Sequence, residues 1–195
     1  MRGNALVHFI SCYLGIDKPH SQTTENEKKA ITKYAAGSKC AIEIGVYEGV
    51  NTVNIASSIN NDAVLHAIDP FVKGRLGICY YEKIAKQQVS RNKVQSKIKF
   101  IAAFSGDAAS QVPASVDFIF IDGDHSVEGI KKDWALYADK VQSGGFMLLH
   151  DTRIPAHDPS VANLGSYQYF ENVIKHDSRF TIVDEVDSLS VLKRK

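Results

Sequence analysis

The sequence shows almost no surplus charge of either sign, with 23 Lys and Arg against 22 Asp and Glu in 195 residues. A balanced chain has no general electrostatic attraction for nucleic acid or an anionic membrane, so neither is expected as a partner. The basic tail Lys193-Arg194-Lys195 reads as a solvated end. Cysteine is scarce. Cys12, Cys40 and Cys79 form no C-x-x-C pair, and their odd number argues against a disulfide framework and for a reducing, cytoplasmic compartment. Residues Ala5 to Ile16 are apolar but contain His8, Ser11 and Cys12, which leaves them far short of a membrane span. Arg2 before that run is how a signal peptide begins, yet no A-x-A-like cleavage site follows, and a short amphipathic helix is expected instead. There is no internal repeat and no low-complexity tract. The length fits one domain with a substantial core.

A fourth absence is more informative. The dinucleotide fingerprint G-x-G-x-x-G is missing, although Ala41-Ile42-Glu43-Ile44-Gly45-Val46-Tyr47-Glu48-Gly49-Val50-Asn51-Thr52 has the strand–turn–helix pattern that would carry it. Its turn reads E-x-G-x-x-x-G. Glu43 replaces the first glycine, and a carboxylate there repels a pyrophosphate and attracts an ammonium or sulfonium. A glycine turn alone is also compatible with a tight turn and no ligand.

The rest of the chain alternates helical and strand patterns. Helices are expected over Glu25 to Ala36, after Gly49, over Tyr80 to Asn92, from Ser126 to Val141, and from Tyr167 to His176. Strands are expected at Cys40 to Ile44, Ala63 to Asp69, Ile98 to Ala103, Val116 to Asp122 and Phe146 to Leu149. Phe71 to Leu76 reads as irregular and Arg153 to Gly165 as a long loop. Phe180 to Val186 and Leu189 to Leu192, split by Asp187-Ser188, read as an antiparallel hairpin. The pattern is that of an α/β sandwich around a mostly parallel sheet, whose ligands bind at the strands' carboxyl ends.

The polar residues collect at those ends. Asp69 closes the second strand twenty residues past Gly49, the place for a carboxylate that takes ribose hydroxyls, or for one that starts a turn before Pro70. Ser105, Gly106 and Asp107 follow the third strand, where Ser105 or Asp107 meets a purine edge or Asp107 caps a helix. Asp122, Asp124, His125, His150 and Asp151 follow two strands expected to be neighbours. Gathering so many ionisable groups costs free energy unless a cation or substrate offsets it, and a carboxylate-rich set suits Mg²⁺ or Mn²⁺. Taken singly, Asp124 also reads as a helix cap and His125 as a surface residue.

Four motifs in this order, E-I-G-V-Y-E-G, A-I-D-P, F-I-F-I-D-G-D-H-S-V-E-G with Lys131-Lys132-Asp133-Trp134, and G-G-F-M-L-L-H-D-T, resemble class I S-adenosylmethionine-dependent methyltransferases. The similarity is greatest to small-molecule O-methyltransferases of sugars and natural products, and more distant to catechol O-methyltransferase. It covers about Cys40 to Thr152. It implies a Rossmann-like, doubly wound, mostly parallel seven-stranded sheet with a C-terminal antiparallel hairpin. Residues 1–39 would form a helical lid or cap on a cofactor-binding domain over 40–195. Glu43, Gly45 and Gly49 would surround the cofactor's methionine part, Asp69 the ribose, and Ser105, Gly106 and Asp107 the adenine, with Asp122 nearby. Asp122 and Asp151 match Mg²⁺ ligands of metal-dependent members, whereas His150 replaces a carboxylate or amide. Asp124 matches the general base of the sugar-modifying members, and His125 and His150 compete with it because imidazole titrates near neutral pH. The acceptor would be a small-molecule hydroxyl in a pocket walled by Arg153 to Gly165 and the amino-terminal helix, with His157 and Asp158 within reach. A homodimer is left open. The rival readings are a nicotinamide-dependent oxidoreductase and a non-catalytic cofactor binder.

Overall fold

The computed structural model describes residues 5–74 and 77–195. Arg2, Arg75 and Leu76, used in the sequence reading, lie outside the described residues. Seven strands form one sheet: β1 (Cys40–Ile44), β2 (Val64–Ile68), β3 (Ile98–Ile101), β4 (Val116–Ile121), β5 (Val141–Leu149), β6 (Phe180–Val186) and β7 (Leu189–Arg194). Their spatial order is β3-β2-β1-β4-β5-β7-β6. The first five pair in parallel, and β7 runs antiparallel to both β5 and β6. This is the expected doubly wound sheet with its terminal hairpin.

The helices are α1 (Ala5–Leu14), α2 (Glu25–Ala35), α3 (Val50–Ser58), α4 (Tyr80–Arg91), α5 (Ser105–Ala108), α6 (Val127–Tyr137) and α7 (Gly165–Asn172). Among the described residues, no helix is long and apolar enough to cross a membrane. Central strand β4 is apolar on both sides, as a parallel strand covered on both faces must be. Phe118 and Phe120 enter one core with Ile31, Ile55 and Ala85 from α2, α3 and α4. Ile119 and Ile121 enter the other with Ile130, Trp134 and Phe170 from α6 and α7. Helix α2 is thus part of the main core. Its start is fixed by a capping box, in which the Thr24 hydroxyl accepts from the Glu27 N–H and the Glu27 carboxylate accepts from the Thr24 N–H. Helix α1 lies against α4, and Arg91 donates to its last carbonyls, Cys12 O and Tyr13 O.

Two boundaries differ from expectation. Helix α6 ends at Tyr137, and β5 begins at Val141 rather than Phe146. Gly144 and Gly145 therefore lie inside a strand instead of closing a helix. Gly145 allows this because an added Cβ would lie 2.7 Å from the Asp117 carbonyl of the neighbouring strand. The expected 153–165 loop contains a 3-10 turn at Pro159–Asn163.

Strand β1 is the point where the chain reverses direction across the sheet, with β2 on one side and β4 on the other. The turns after β1 and β4 touch closely there. Gly45 has φ 92°, and a Cβ on it would lie 2.0 Å from the Asp122 carbonyl oxygen. Replacing Gly45 by Ala adds both a left-handed strain and a backbone collision, so we expect a loss of about 3 kcal/mol or more. Calorimetry should record Gly45→Ala melting about 6–12 °C lower. An unchanged melting temperature would mean the two turns separate freely.

Candidate active site at the carboxyl edge of the sheet

A cleft of about 560 Å³ opens at this crossover point. One wall is the turn after β1, with Gly45, Val46 and Tyr47; the other is Asp122, Gly123, Asp124 and His125 after β4. Asp69, Phe104 and Ser105 border it from the β2 and β3 side, and His20, Ser21 and Gln22 from the amino-terminal segment. Three residues with left-handed backbone, Tyr47 (φ 52°), Phe71 (φ 43°) and Asp151 (φ 52°), follow the ends of β1, β2 and β5. Such conformations persist only where the surroundings enforce them, and here they gather at one edge.

The Asp69 carboxylate holds the glycine turn. Its Oδ2 accepts from the N–H groups of Val46 and Tyr47, both at 3.0 Å, and its Oδ1 from Phe71 N–H at 2.8 Å. Asp69 thus organises a turn, one of its two sequence readings, and it also borders the cleft. Glu43 is completely buried and does not line the cleft. Burial raises its pKa far above the ordinary carboxylate value, with Asp122 and Asp69 adding to the effect and a Thr52 contact opposing it. Gly49 (φ 81°) also turns away from the cleft, since a Cβ there would lie 2.8 Å from Ala85 Cα of α4. Ser105 reaches the cleft, and its carbonyl accepts from the Tyr137 hydroxyl at 2.6 Å. Gly106 makes room for the Lys132 side chain, and Asp107 sits in the first turn of α5, away from the lining.

Asp124 and His125 are on the open side. Asp124 Oδ1 accepts from Ser126 N–H at 2.9 Å, just ahead of α6, whose cap is Ser126. Gly129 leaves space for it, because a Cβ there would lie 2.5 Å from Asp124 Cγ. His125 has 28% of its side chain exposed, with Nε2 3.7 Å from Asp122 Oδ1 and Nδ1 3.7 Å from Asp151 Oδ2. The first turn of α7 fixes both loops. Ser166 N–H donates to His125 O, and its hydroxyl donates to Asp151 O.

His150 is buried behind them. Its Nδ1 is 3.1 Å from Asp122 Oδ1 and 3.5 Å from Asp151 Oδ1, and its Nε2 is 3.4 Å from Glu27 Oε2. Burial lowers its pKa, but Asp122, Asp151 and Glu27 outweigh that and push it up to about 12. The three carboxylates therefore favour the imidazolium form of His150. Of the two histidines that compete with Asp124 as base in the sequence reading, His150 is 3% exposed and His125 28%. His150 stands between Asp122 and Asp151, the two carboxylates expected to hold Mg²⁺ or Mn²⁺, and an imidazole is a poorer ligand for such an ion than a carboxylate.

Sequence reasoning missed Glu27 and Asp133. Glu27 looks like an ordinary capping-box acid, yet its Oε1 accepts from the Ser188 N–H and hydroxyl at 2.8 and 2.7 Å. Burial raises its pKa, but hydrogen bonds from His150, Thr24 and Ser188 prevail and hold it at about 2. Asp133 lines the cleft, 2% exposed, and burial pushes its pKa up to about 6, with a Ser105 contact in partial opposition. Its signal was legible, as an acid on the buried face of α6 marked by Ile130, Trp134 and Tyr137. The stretch 153–165 does not line the cleft, and its acid Asp158 is used locally, accepting from Ser160 N–H at 3.0 Å. His20, Ser21 and Gln22 take the place expected for that loop.

The charged cluster sets a pH optimum for stability. Glu27 titrates below its ordinary 4.5, so its contribution is present above 4.5 and lost as pH falls toward about 2. His150 titrates above 6.5, so its contribution is full below 6.5 and lost as pH rises toward about 12. Denaturant titration should place the cluster's maximum between 4.5 and 6.5. His150→Gln should cost about 3 kcal/mol at neutral pH and flatten the alkaline decline. An undiminished decline in that variant would mean that His150 is neutral.

Comparison with known proteins agrees with this geometry. The family described as "Methyltransferase domain" matches residues 42–152, more than half of the chain. An uncharacterized protein of Acanthamoeba polyphaga mimivirus is 28% identical over 142 residues, which span 66% of this chain and 62% of the viral protein. The fold is shared with the O-methyltransferase TomG of Streptomyces achromogenes, solved with SAM, at a TM-score of 0.68 and 15% identity, over 100% of this chain and 91% of that one. An O-methyltransferase of Bacillus cereus, solved with SAH, superposes with a TM-score of 0.66 and 16% identity, over 100% and 92% of the respective chains. With the family's match running from within β1 through the turn after β5, and so across most of the cleft, the chain belongs to the methyltransferase-domain family.

Proposed function

We propose that the protein is an S-adenosylmethionine-dependent O-methyltransferase acting on a hydroxyl of a small molecule such as a sugar or natural product. The observation that carries this reading is the cleft at the β1/β4 crossover, which joins a glycine turn to an accessible Asp124–His125 pair. Its volume suits a small ligand. The shared fold of TomG with SAM and of the Bacillus cereus protein with SAH supports the choice of cofactor.

The chain's residues fit that cofactor. A carboxylate has about four acceptor positions. Three backbone N–H groups occupy Asp69, leaving it free to take a ribose hydroxyl. Asp133 Oδ1 is buried without a hydrogen-bond partner on the same side as Ser105, and accepts from an exocyclic amino group. When bound, the cofactor supplies a sulfonium-activated methyl group, so the protein's tasks are orientation and removal of the acceptor's proton.

His125 takes that proton. It is the imidazole on the β4 wall of the cleft, and Asp122 and Asp151 flank it. Asp124, with one oxygen tied to Ser126, orients the acceptor hydroxyl with the other. His150 keeps Asp122 and Asp151 in place as their counter-charge.

Calorimetric titration with SAM and with NAD, each with and without Mg²⁺, tests the cofactor assignment. Micromolar SAM binding, unchanged by Mg²⁺, is expected; binding of NAD alone, or of neither, would remove the proposal. Turnover, read as SAH release across a panel of hydroxylated compounds, tests the base. His125→Ala should lower it about 100-fold or more while SAM affinity stays within about threefold. Asp124→Asn should mainly raise KM. Full turnover in His125→Ala would transfer the base to Asp124, and no turnover in the unmodified chain with any acceptor would favour a non-catalytic binder.

A further inference from the structure

A second group of potential ligands lies outside the Asp122–Asp151 cluster, where the amino-terminal segment meets the turn after β1. His8, on α1, directs Nε2 to Glu48 Oε2 at 3.0 Å. His20 places Nδ1 3.7 Å from Glu48 Oε1. The three ligand atoms all lie within 4.8 Å of one another. Tetrahedral zinc with nitrogen and oxygen ligands at 2.0–2.1 Å holds its donor atoms about 3.3 Å apart, between these two spacings.

Three further observations point to an ion rather than to a chance gathering. Glu48 is completely buried, and its Oε1 has no hydrogen-bond partner. A buried carboxylate oxygen left unpaired is costly, and a cation would satisfy it. His8 Nδ1 is 2.8 Å from Asp17 Oδ2, which is the outer carboxylate that typically orients a metal-bound histidine and leaves Nε2 free for the ion. Cys12, one helical turn after His8 on the same face of α1, has its buried Sγ 3.6 Å from His8 Nε2. Imidazole, carboxylate and a nearby thiol suit a borderline-soft ion, not Mg²⁺.

We propose that His8, His20 and Glu48 form a zinc-class metal site that fastens the amino-terminal segment onto the turn after β1. The ion takes the place of the proton that His8 otherwise shares with Glu48. The His8 and His20 rings stack in parallel, with centroids 3.9 Å apart, and an ion must lie in the plane of both. His20 therefore turns on binding, which it is free to do with 59% of its side chain exposed. The site is adjacent to the cleft through its own members, since His20 lines the cleft and Glu48 lies between Tyr47, which lines it, and Gly49. Occupancy thus orders the segment that covers the cleft, whatever the cleft binds.

The test uses the tag-free full chain, stripped with a chelator and titrated with Zn²⁺ alone. One equivalent should bind, survive excess Mg²⁺, and slow amide exchange over residues 5–14. His8→Ala and His20→Ala should each weaken binding at least about tenfold, and Asp17→Asn about tenfold through the outer shell alone. His20 is exposed enough for its variant to fold, and circular dichroism verifies this. Absence of stoichiometric Zn²⁺ binding, or equal binding in both histidine variants, would overturn the site. Stoichiometric binding with unchanged exchange over residues 5–14 would overturn the fastening role.

Discussion

A buried imidazolium with three carboxylates around it governs the geometry of the ligand edge. His150 draws in Asp122 from the end of β4, Asp151 from the end of β5, and Glu27 from the start of α2. Withdrawing any one member leaves a charge uncompensated at low dielectric, which is far more costly than never having built the cluster. The tie extends beyond electrostatics. Glu27 also receives the backbone and hydroxyl of Ser188 in the β6–β7 turn, so four separated stretches of chain meet at one point. His125 and Asp124 stand on the exposed rim of that assembly and inherit its rigidity.

This arrangement separates two tasks that acidic clusters often combine. In metal-assisted transfer an external ion both organises carboxylates and acts on the acceptor oxygen. Here the buried His150 does the organising, and it does not line the cleft. The chemistry then falls to the groups that solvent and ligand can reach. A similar division applies at Asp69, where the carboxylate first secures the N–H groups of Val46, Tyr47 and Phe71 and only its remaining capacity faces the cleft.

Much of this was legible in the sequence. Hydrophobic runs such as Phe118-Ile119-Phe120-Ile121 identify central parallel strands, and the chain order of strand and helix patterns yields the sheet. The clustering of Asp122, Asp124, His125, His150 and Asp151 followed from the topology alone. What could not be read was protonation and depth. An imidazole in H-D-T has the same letters whether it is a neutral ligand or a buried cation, and the difference lies in the carboxylates around it, Asp122 first, then Asp151, and Glu27 more than a hundred residues away. The start of β5 was missed for a related reason. Gly144-Gly145 is a helix terminator by local preference, and only the neighbouring Asp117 carbonyl makes it a strand position.

The contact between Glu27 and Ser188 spans 161 residues. Contacts of that separation form late, because the loop they close is long and its entropy must be overcome first. During synthesis, helix α2 emerges early with a carboxylate whose Oε1 lacks its Ser188 donors until the β6–β7 turn leaves the ribosome. The sheet's first strands can pair before then, but the ligand edge cannot take its final shape. Ribosome-bound chains ending before residue 188 should therefore leave Glu27 Oε1 without its Ser188 donors and the ligand edge incomplete.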